Sequence, residues 1–178
     1  VAAGTAHDAL RRLAVGVGVG DSLLVLGAGG GVGSAVLQLA RADGIDVLAV
    51  ASAGKREWIE SLGAEFFASG LHFVDSISRP VNGIVDLVGG ETLRAAATAV
   101  TAGVPIVSVA DPMLAAQWGG SGVDRDRTTA AFARLADLTA SGVIRPRIDH
   151  AFPLERAGEA LALVEDGHVL GKVVVEVR

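Results

Sequence analysis

The sequence predicts an α/β protein in which helices cover both faces of a doubly wound parallel sheet of about six strands. Two patterns support this prediction. Short apolar runs with the length of buried strands alternate along the chain with segments whose apolar residues recur at helical spacing. Because parallel neighbouring strands need a helical crossover between them, this alternation favours a parallel sheet. The length of 178 residues suits one domain of ordinary size with a sizeable core.

The predicted strands are short apolar segments. The first, Leu23–Leu26, has four apolar residues in a row, which is typical of a strand buried on both faces. Further strands are expected at Asp46–Ala51, Glu65–Ala68, Ile84–Val88 and Val104–Val109, with a sixth near Gly119–Val123. Near the end of the chain, extended segments are expected at Arg147–His150 and Lys172–Val177.

Each predicted helix has one apolar face. The helices are expected at Thr5–Ala14, between the first strand and Asp43, and at Lys55–Leu62, Glu91–Val100, Arg127–Ala140 and Leu154–Val164, with one or two turns within Leu71–Ser78. The inward residues are expected to be Phe132, Leu135, Ala136 and Thr139 in the fifth of these helices, and Leu154, Ala157, Leu161 and Val164 in the sixth.

The chain is organised around the glycine-rich stretch that follows the first strand. Five glycines lie within the seven residues Gly27–Gly33, and helical spacing begins directly after them. This strand, glycine turn and helix are typical of a dinucleotide-binding fold of the Rossmann type. Because glycine lacks a Cβ, the backbone can approach a pyrophosphate, which binds the free N–H groups at the start of the helix. The predicted cofactor-binding residues here are Gly30, Gly31, Val32 and Gly33.

Composition narrows the classes of function. The net charge is −5, so nothing indicates a nucleic-acid or membrane-surface partner. The sequence has no cysteine, which is compatible with a reducing compartment, and we expect a cytoplasmic protein. No apolar run has the length of a membrane span. No metal site is expected, because metal-ligand spacing is missing among the four histidines, His7, His72, His150 and His168.

The end of the second strand indicates which nucleotide the turn accepts. An NAD enzyme needs an acidic residue there to bond the ribose 2′-hydroxyl, whereas this sequence reads Ala51-Ser52-Ala53. Ser52 offers a hydroxyl, and Lys55 and Arg56 offer positive charge for a 2′-phosphate. Two cations in the first turn of a helix oppose its dipole, which a bound anion would explain. We therefore expect NADP(H), and ordinary solvated helix charges are the alternative for Lys55 and Arg56.

Motifs along almost the whole chain have the order and spacing of a known family. Ala28–Gly33 matches an AxGGVG turn, Lys55-Arg56 precedes Leu62-Gly63-Ala64, and Asp86–Gly90 reads Asp-Leu-Val-Gly-Gly. The end of the chain matches a closing fPLxxAxxA…GKvV pattern with Phe152-Pro153-Leu154, Ala157, Ala160 and Gly171–Val174. On these residues the chain resembles the medium-chain dehydrogenase/reductase superfamily, and within it the zinc-independent quinone-oxidoreductase and enoyl-reductase branch.

The resemblance implies a division of the chain. Residues 1–150 would form the NADP(H)-binding domain, and residues 151–178 would be the helix and strand that, in the family, return to a catalytic domain ahead of Val1. The implied reaction is hydride transfer from NADPH to a quinone or an α,β-unsaturated carbonyl. A proton donor, where the reaction needs one, would come from water or from that catalytic domain. The family also implies a homodimer through the edge of the sixth strand, Gly119–Val123.

The resemblance also locates the nicotinamide end of the cofactor. Val88 and Gly89, after the fourth strand, would flank the nicotinamide ribose and ring together with Ser108, Val109 and Ala110, after the fifth. Plain core packing is the alternative for Val88 and Val109.

Three alternatives remain open at this stage. The glycine turn could belong to an α/β protein that binds no nucleotide. The chain could be a non-catalytic NADP-binding or dimerisation module that lacks a substrate domain. A methyltransferase that uses S-adenosylmethionine also has a glycine loop after its first strand, but it would need an acidic residue at the end of the second strand.

Asp86, at the end of the fourth strand, is expected to be a buried acid paired with backbone donors rather than an acid catalyst.

Overall fold

The computed structural model describes residues 1–70, 72–167 and 169–177. Helices and strands alternate along the chain, as the apolar periodicity predicts. The strands are β1 (Ser22–Leu26), β2 (Asp46–Ala51), β3 (Glu65–Ala68), β4 (Gly83–Asp86), β5 (Ile106–Ser108), β6 (Ile148–Pro153) and β7 (Lys172–Glu176). The helices are α1 (Ala2–Leu13), α2 (Gly33–Ala42), α3 (Arg56–Ser61), α4 (Gly90–Ala99), α5 (Pro112–Ala115), α6 (Thr129–Ala140) and α7 (Ala157–Glu165). Short 3₁₀ turns lie at Ala53–Lys55, Phe73–Ser76, Ala116–Trp118 and Leu154–Arg156.

Five parallel strands form the main sheet, in the order β3-β2-β1-β4-β5. The central strand β1 is buried along its whole length. Its alternate residues point to opposite faces: Leu23 and Val25 pack in a core with α1 and α2, whereas Leu24 and Leu26 pack in a second core with α4. Helices therefore cover both faces of a parallel sheet, and the predicted fold class is confirmed.

The strand order reverses between β1 and β4. From β1 the chain moves outward through β2 to β3, and it then crosses to the other side and continues through β4 to β5. At such a reversal a crevice opens beyond the carboxyl ends of the two strands, and this is where doubly wound folds bind ligands. The glycine turn follows β1 and Val88 follows β4, so both lie at this crevice.

The expected sixth strand is not formed. The segment Gly119–Val123 contacts β5 through one isolated parallel bridge, between Val107 and Ser121. Three of the five residues of the segment are glycines, which have no side chain to pack on a sheet. The prediction of a strand there is wrong for this physical reason, and the main sheet has five strands.

The predicted inner face of α6 is partly wrong. Ala131 is buried, and Leu135 and Leu138 pack against the core, whereas Phe132 is 49% exposed. The inward residues Ala131, Leu135 and Leu138 follow i, i+4 and i+7 spacing. The contact of α6 with α1 determines which side of the helix is buried.

The predicted inner face of α7 is largely wrong, since only Ala157 of the four predicted residues is even partly buried. Leu154, just before the helix, and Leu161 and Val164 within it are each more than half exposed, whereas Ala160 is buried. Because α7 is apolar on more than one side, periodicity alone did not identify the side that packs on β6 and β7.

The last two strands pair with each other in a small parallel sheet, in which Phe152 lies opposite Val175. An isolated bridge between Gly30 and Gly171 brings this sheet to the glycine turn. The predicted boundary between the cofactor-binding domain and the C-terminal helix and strand lies at residue 150, within β6. This division of the chain stays a prediction. Among the described residues, no helix is both long enough and apolar enough to cross a bilayer.

Candidate cofactor site

The turn after β1 is a cradle whose shape depends on glycine. Gly27 has a φ of +82°, a conformation that other residues rarely adopt. Its N–H and that of Ala28 both donate to the carbonyl oxygen of Val50 in β2, at 3.0 Å. A Cβ on Gly33 would overlap the Gly27 carbonyl oxygen and would lie 2.6 Å from the Ala28 Cα. Helix α2 therefore starts tight against the strand, and its positive end lies at the turn.

A cavity of about 230 Å³ joins this turn to residues that follow three other strands, β2, β3 and β4. The glycines Gly27, Gly29 and Gly30 line it together with Ser52 and Lys55, which follow β2. The structure thus brings Gly30, Ser52, Lys55 and Val88 of the predicted set into one cavity; its other lining residues are Val50, Ala51, Ser69, Thr92 and Gly167.

The lining residues that were not predicted as site residues include Ser69, Thr92 and Gly167. Thr92 lies in the first turn of α4, two residues after the Gly89-Gly90 pair, and its closeness to that pair was the sign of it in the sequence. Ser69 follows β3 at the same edge of the sheet. Gly167 comes from the C-terminal segment, and no local pattern could have indicated it because its approach depends on tertiary packing.

Lys55 extends its side chain along the glycine turn. A Cβ on Gly29 would lie 3.1 Å from the Cβ and Cγ of Lys55 and would overlap its Cδ. The Lys55 Nζ donates a hydrogen bond of 2.9 Å to the carbonyl oxygen of Val169. Burial holds the pKa of the Lys55 ammonium below its usual value, and the nearby Asp149 carboxylate offsets part of this lowering. An anion at the turn would therefore meet a cation that is held in place and partly removed from water.

Arg56 has a different environment from Lys55. Its guanidinium lies over the Phe66 ring, 4.3 Å from the centroid, and donates to Glu60 at 2.9 Å. Arg56 does not line the cavity at the glycine turn; it lines a separate depression beside Phe66 and Ser69. The structure therefore does not bring the two predicted cations into one cavity.

Asp86 organises the ends of β4 and β5. Its side chain is fully buried and accepts hydrogen bonds from the Val88 and Gly89 N–H groups at 3.0 and 2.9 Å. The Ser108 hydroxyl donates to the same carboxylate at 2.5 Å and accepts from the Asp111 N–H at 2.8 Å. The expectation of a buried acid paired with backbone donors is confirmed. Asp86 thus fixes the loop that carries Val88 and Gly89.

Two of the three residues predicted at the end of β5 lie at another depression. Ser108 and Val109 line it together with Thr5 and Arg12 of α1. Val88 and Val109 are 52% and 40% exposed, so plain core packing does not describe either side chain. Ala110 is exposed beside them.

The C-terminal segment also contacts the glycine turn. The Lys172 side chain covers Gly31, so that a Cβ on Gly31 would lie 2.8 Å from the Lys172 Cδ and would overlap the atoms beyond it. Val32, the residue before α2, is partly buried against the core formed by α1 and α2.

Within the part of the chain that the structure describes, no group of three or more His, Asp or Glu side chains is arranged to hold a metal ion. The predicted absence of a metal site stays a prediction. His168 lies outside the described residues. The site consists of backbone donors at the glycine turn, the cation Lys55 and the ends of the strands. It can receive an extended anionic ligand along the carboxyl edge of the sheet.

Many solved structures resemble the chain, among them the three that follow. A quinone oxidoreductase from Coxiella burnetii is 32% identical over 100% of this chain and 59% of its own, with a TM-score of 0.90. A putative alcohol dehydrogenase from Sinorhizobium meliloti is 29% identical over 98% of this chain and 52% of its own, with a TM-score of 0.85. CurA from Vibrio vulnificus, in complex with NADPH, is 22% identical over 100% of this chain and 63% of its own, with a TM-score of 0.81. At this identity the likeness shows a shared fold and nothing more.

The chain spans between half and two thirds of the length of these structures. A comparison with curated proteins gives no match. The family model described as zinc-binding dehydrogenase matches residues 62–175, which is more than half of the chain. The chain therefore belongs to the zinc-binding dehydrogenase family, within the medium-chain dehydrogenase/reductase superfamily.

Proposed function

We propose that the chain is the cofactor-binding portion of an NADPH-dependent oxidoreductase. One observation carries this proposal: the glycine turn, Ser52, Lys55 and Val88 line a single cavity at the crevice between β1 and β4. The turn suits a pyrophosphate, because the positive end of α2 and the side chain of Lys55 both lie at it. When bound, the nicotinamide ring supplies the hydride.

The residues of the chain bind and orient this cofactor. The turn from Gly30 to Gly33 and the positive end of α2 hold the pyrophosphate. Ser52 and Lys55 recognise the 2′-phosphate, with Arg56 as a further contributor from outside the cavity. The strand ends at Val88, Gly89, Ser108, Val109 and Ala110 flank the nicotinamide and its ribose.

The proposed acceptor of the hydride is a quinone or an α,β-unsaturated carbonyl. The 32% identity to a quinone oxidoreductase supports this class of substrate. The Ala28–Gly33 turn, which resembles that of the zinc-independent branch, supports a reaction without zinc. A homodimer through the edge of the Gly119–Val123 segment and a cytoplasmic location belong to the same proposal.

The choice of NADPH over NADH is tested by Lys55→Gln. The ammonium of Lys55 makes a charge-assisted contact to a 2′-phosphate that NADH lacks, so the variant should bind NADPH about 10-fold more weakly and NADH as before. Titration by nucleotide fluorescence measures both dissociation constants. Equal affinity of the parent chain for the two nucleotides, or equal losses in the variant, would contradict NADPH preference.

Absence of saturable binding of either nucleotide would contradict the cofactor site itself. Turnover with a panel of quinones and enones then addresses the reaction. Binding without turnover would indicate the alternative, a non-catalytic NADP-binding module.

A further inference from the structure

The loops after β4 and β5 are joined by one buried carboxylate. The Asp86 side chain accepts from two N–H groups of the first loop and from the Ser108 hydroxyl at the end of β5. We propose that Asp86 and Ser108 are positioning residues, which hold the two loops in the arrangement that receives the nicotinamide end of the cofactor. This inference rests on the proposed function, because it requires a nicotinamide nucleotide at the strand ends.

Asp86 holds an exposed valine in each of the two loops. The Val88 N–H donates to its Oδ1 at 3.0 Å, and the Val109 N–H donates to its backbone carbonyl oxygen at 2.8 Å. The side chains of Val88 and Val109 are exposed, and each lines a cavity that also contains strand-end residues. Asp86 itself is fully buried. One buried residue therefore sets the positions of two apolar side chains that a ligand can touch.

The Ser108 hydroxyl is engaged inside the protein both as a donor and as an acceptor. It donates to Asp86 Oδ2 at 2.5 Å and accepts from the Asp111 N–H at 2.8 Å. Because only 1% of the residue is exposed, this hydroxyl is not free to bind the cofactor. Ser108 therefore acts through Asp86, and it flanks the nicotinamide by means of the loop that it fixes.

The two loops also touch each other and the glycine turn. Gly89 has a φ of +78°, and a Cβ there would lie 3.0 Å from the Cβ of Asp111 in the other loop. A Cβ on Gly27 would lie 3.0 Å from a methyl carbon of Val88. A shift of either loop therefore changes the space beside the turn, and Asp86 is the residue that prevents such a shift.

The opposite half of the cofactor depends on other contacts. The turn is anchored to β2 through the Val50 carbonyl oxygen, and Ser52 and Lys55 follow β2. Among the described residues, the hydrogen-bond partners of the Asp86 side chain all lie after β4 or at the end of β5. Loss of the Asp86–Ser108 pair should therefore weaken the grip on nicotinamide and spare the adenosine half.

The test compares nucleotides with fragments that lack nicotinamide. NADPH is paired with 2′-phospho-ADP-ribose, NADH is paired with ADP-ribose, and calorimetric titration gives the four dissociation constants. Asp86→Leu has a similar volume but no acceptor, so it should weaken both nucleotides about 10- to 30-fold and the fragments less than about 2-fold. Asp86→Asn keeps an oxygen for the two N–H groups and should restore most of the affinity.

Ser108→Ala tests the other member of the pair. It should weaken both nucleotides about 3- to 10-fold and spare the fragments. Because Ser108 acts through Asp86, Ser108→Ala combined with Asp86→Leu should lose no more than Asp86→Leu alone. Ser141→Ala, which removes an exposed hydroxyl after α6, is the control and should change none of the four constants.

Equal losses for a nucleotide and its fragment would overturn the inference, since the pair would then support the whole site without preference for nicotinamide. Unchanged binding in Ser108→Ala would also overturn it. A further loss when Ser108→Ala is added to Asp86→Leu would mean that Ser108 touches the cofactor itself. If urea denaturation shows that Asp86→Leu is unfolded, Ser108→Ala alone decides, and only a loss confined to the two nucleotides supports the inference.

The four ligands also separate this inference from the proposed function. If the parent chain binds none of them, both fail. If it binds NADH as tightly as NADPH, the NADPH preference fails, and the comparison of NADH with ADP-ribose still decides the inference. If it binds the fragments as tightly as the nucleotides, the cofactor site stands and the inference is overturned.

Discussion

Single residues decide whether the glycine turn can form at all. Gly33 is the clearest case. Its φ is not in the positive range that favours glycine, so a side chain is excluded there by the lack of space and not by the backbone conformation. The atoms that a Cβ would meet belong to the backbone of Gly27 and Ala28, which cannot move aside as a flexible side chain would. The start of α2 and the end of β1 therefore depend on this one missing methyl group.

Gly33→Ala should lower the free energy of unfolding by about 1–3 kcal/mol, because the added methyl group forces the turn apart. The same displacement should abolish nucleotide binding. Urea denaturation and nucleotide titration measure the two effects.

The matched control is Gly158→Ala in α7, where a Cβ meets nothing within 4 Å. This substitution should leave binding unchanged and should stabilise the chain by up to about 1 kcal/mol, since alanine favours a helix. Equal effects of the two substitutions would contradict the steric explanation.

At the scale of elements, helix α1 is tied to the segment after α5 by a buried charge cluster. The Asp8 carboxylate, with a side chain 2% exposed, accepts from the Arg125 guanidinium at 2.9 Å and from the Asp126 N–H at 3.0 Å. Arg125 also donates to the Thr5 hydroxyl at 2.7 Å. This cluster holds α1 beside the depression at the end of β5, where Thr5, Ser108 and Arg125 are lining residues.

Asp8→Ala should destabilise the chain by about 3 kcal/mol, because it leaves the largely buried Arg125 without its counter-ion. Combining it with Arg125→Met should restore part of that loss, since no unpaired charge remains. Chemical denaturation of the two single variants and the double variant measures the coupling.

Additive losses in that cycle would contradict the cluster. Glu159→Ala, which removes one partner of the exposed Arg156–Glu159 pair, serves as the control and should leave the free energy of unfolding almost unchanged.

At the scale of the whole molecule, the main sheet is more deeply buried than the small sheet formed by β6 and β7. Every residue of β1 is buried, whereas β6 and β7 are only partly buried or exposed along their lengths. The small sheet meets the glycine turn through the Gly30–Gly171 bridge and the contact of Lys55 with Val169. Its stability should therefore be lower than that of the main sheet.

Native-state hydrogen exchange should show this difference. Amides of β6 and β7 should exchange at lower opening free energy than those of β1, because little apolar area protects them. Equal protection of β1 and β7 in the free chain would contradict the separation of the two sheets.

The sequence by itself determined the alternation of strands and helices, the bounds of β2 and β3, and the cradle after β1. These features are encoded locally, because the spacing of apolar residues indicates which side of an element is buried. A glycine indicates a turn or a close approach of another part of the backbone. The buried role expected of Asp86 was also readable, because a lone acid at the end of an apolar strand needs donors nearby.

Only the tertiary structure decided which distant segments meet. It replaced the sixth strand with a single bridge, paired β6 with β7, turned Leu161 outward, and placed Lys172 on Gly31. Each of these depends on contacts between residues far apart in the chain, on which local periodicity carries no information. The physical reason is that a pattern of apolar residues specifies a face to be buried but not the surface that buries it.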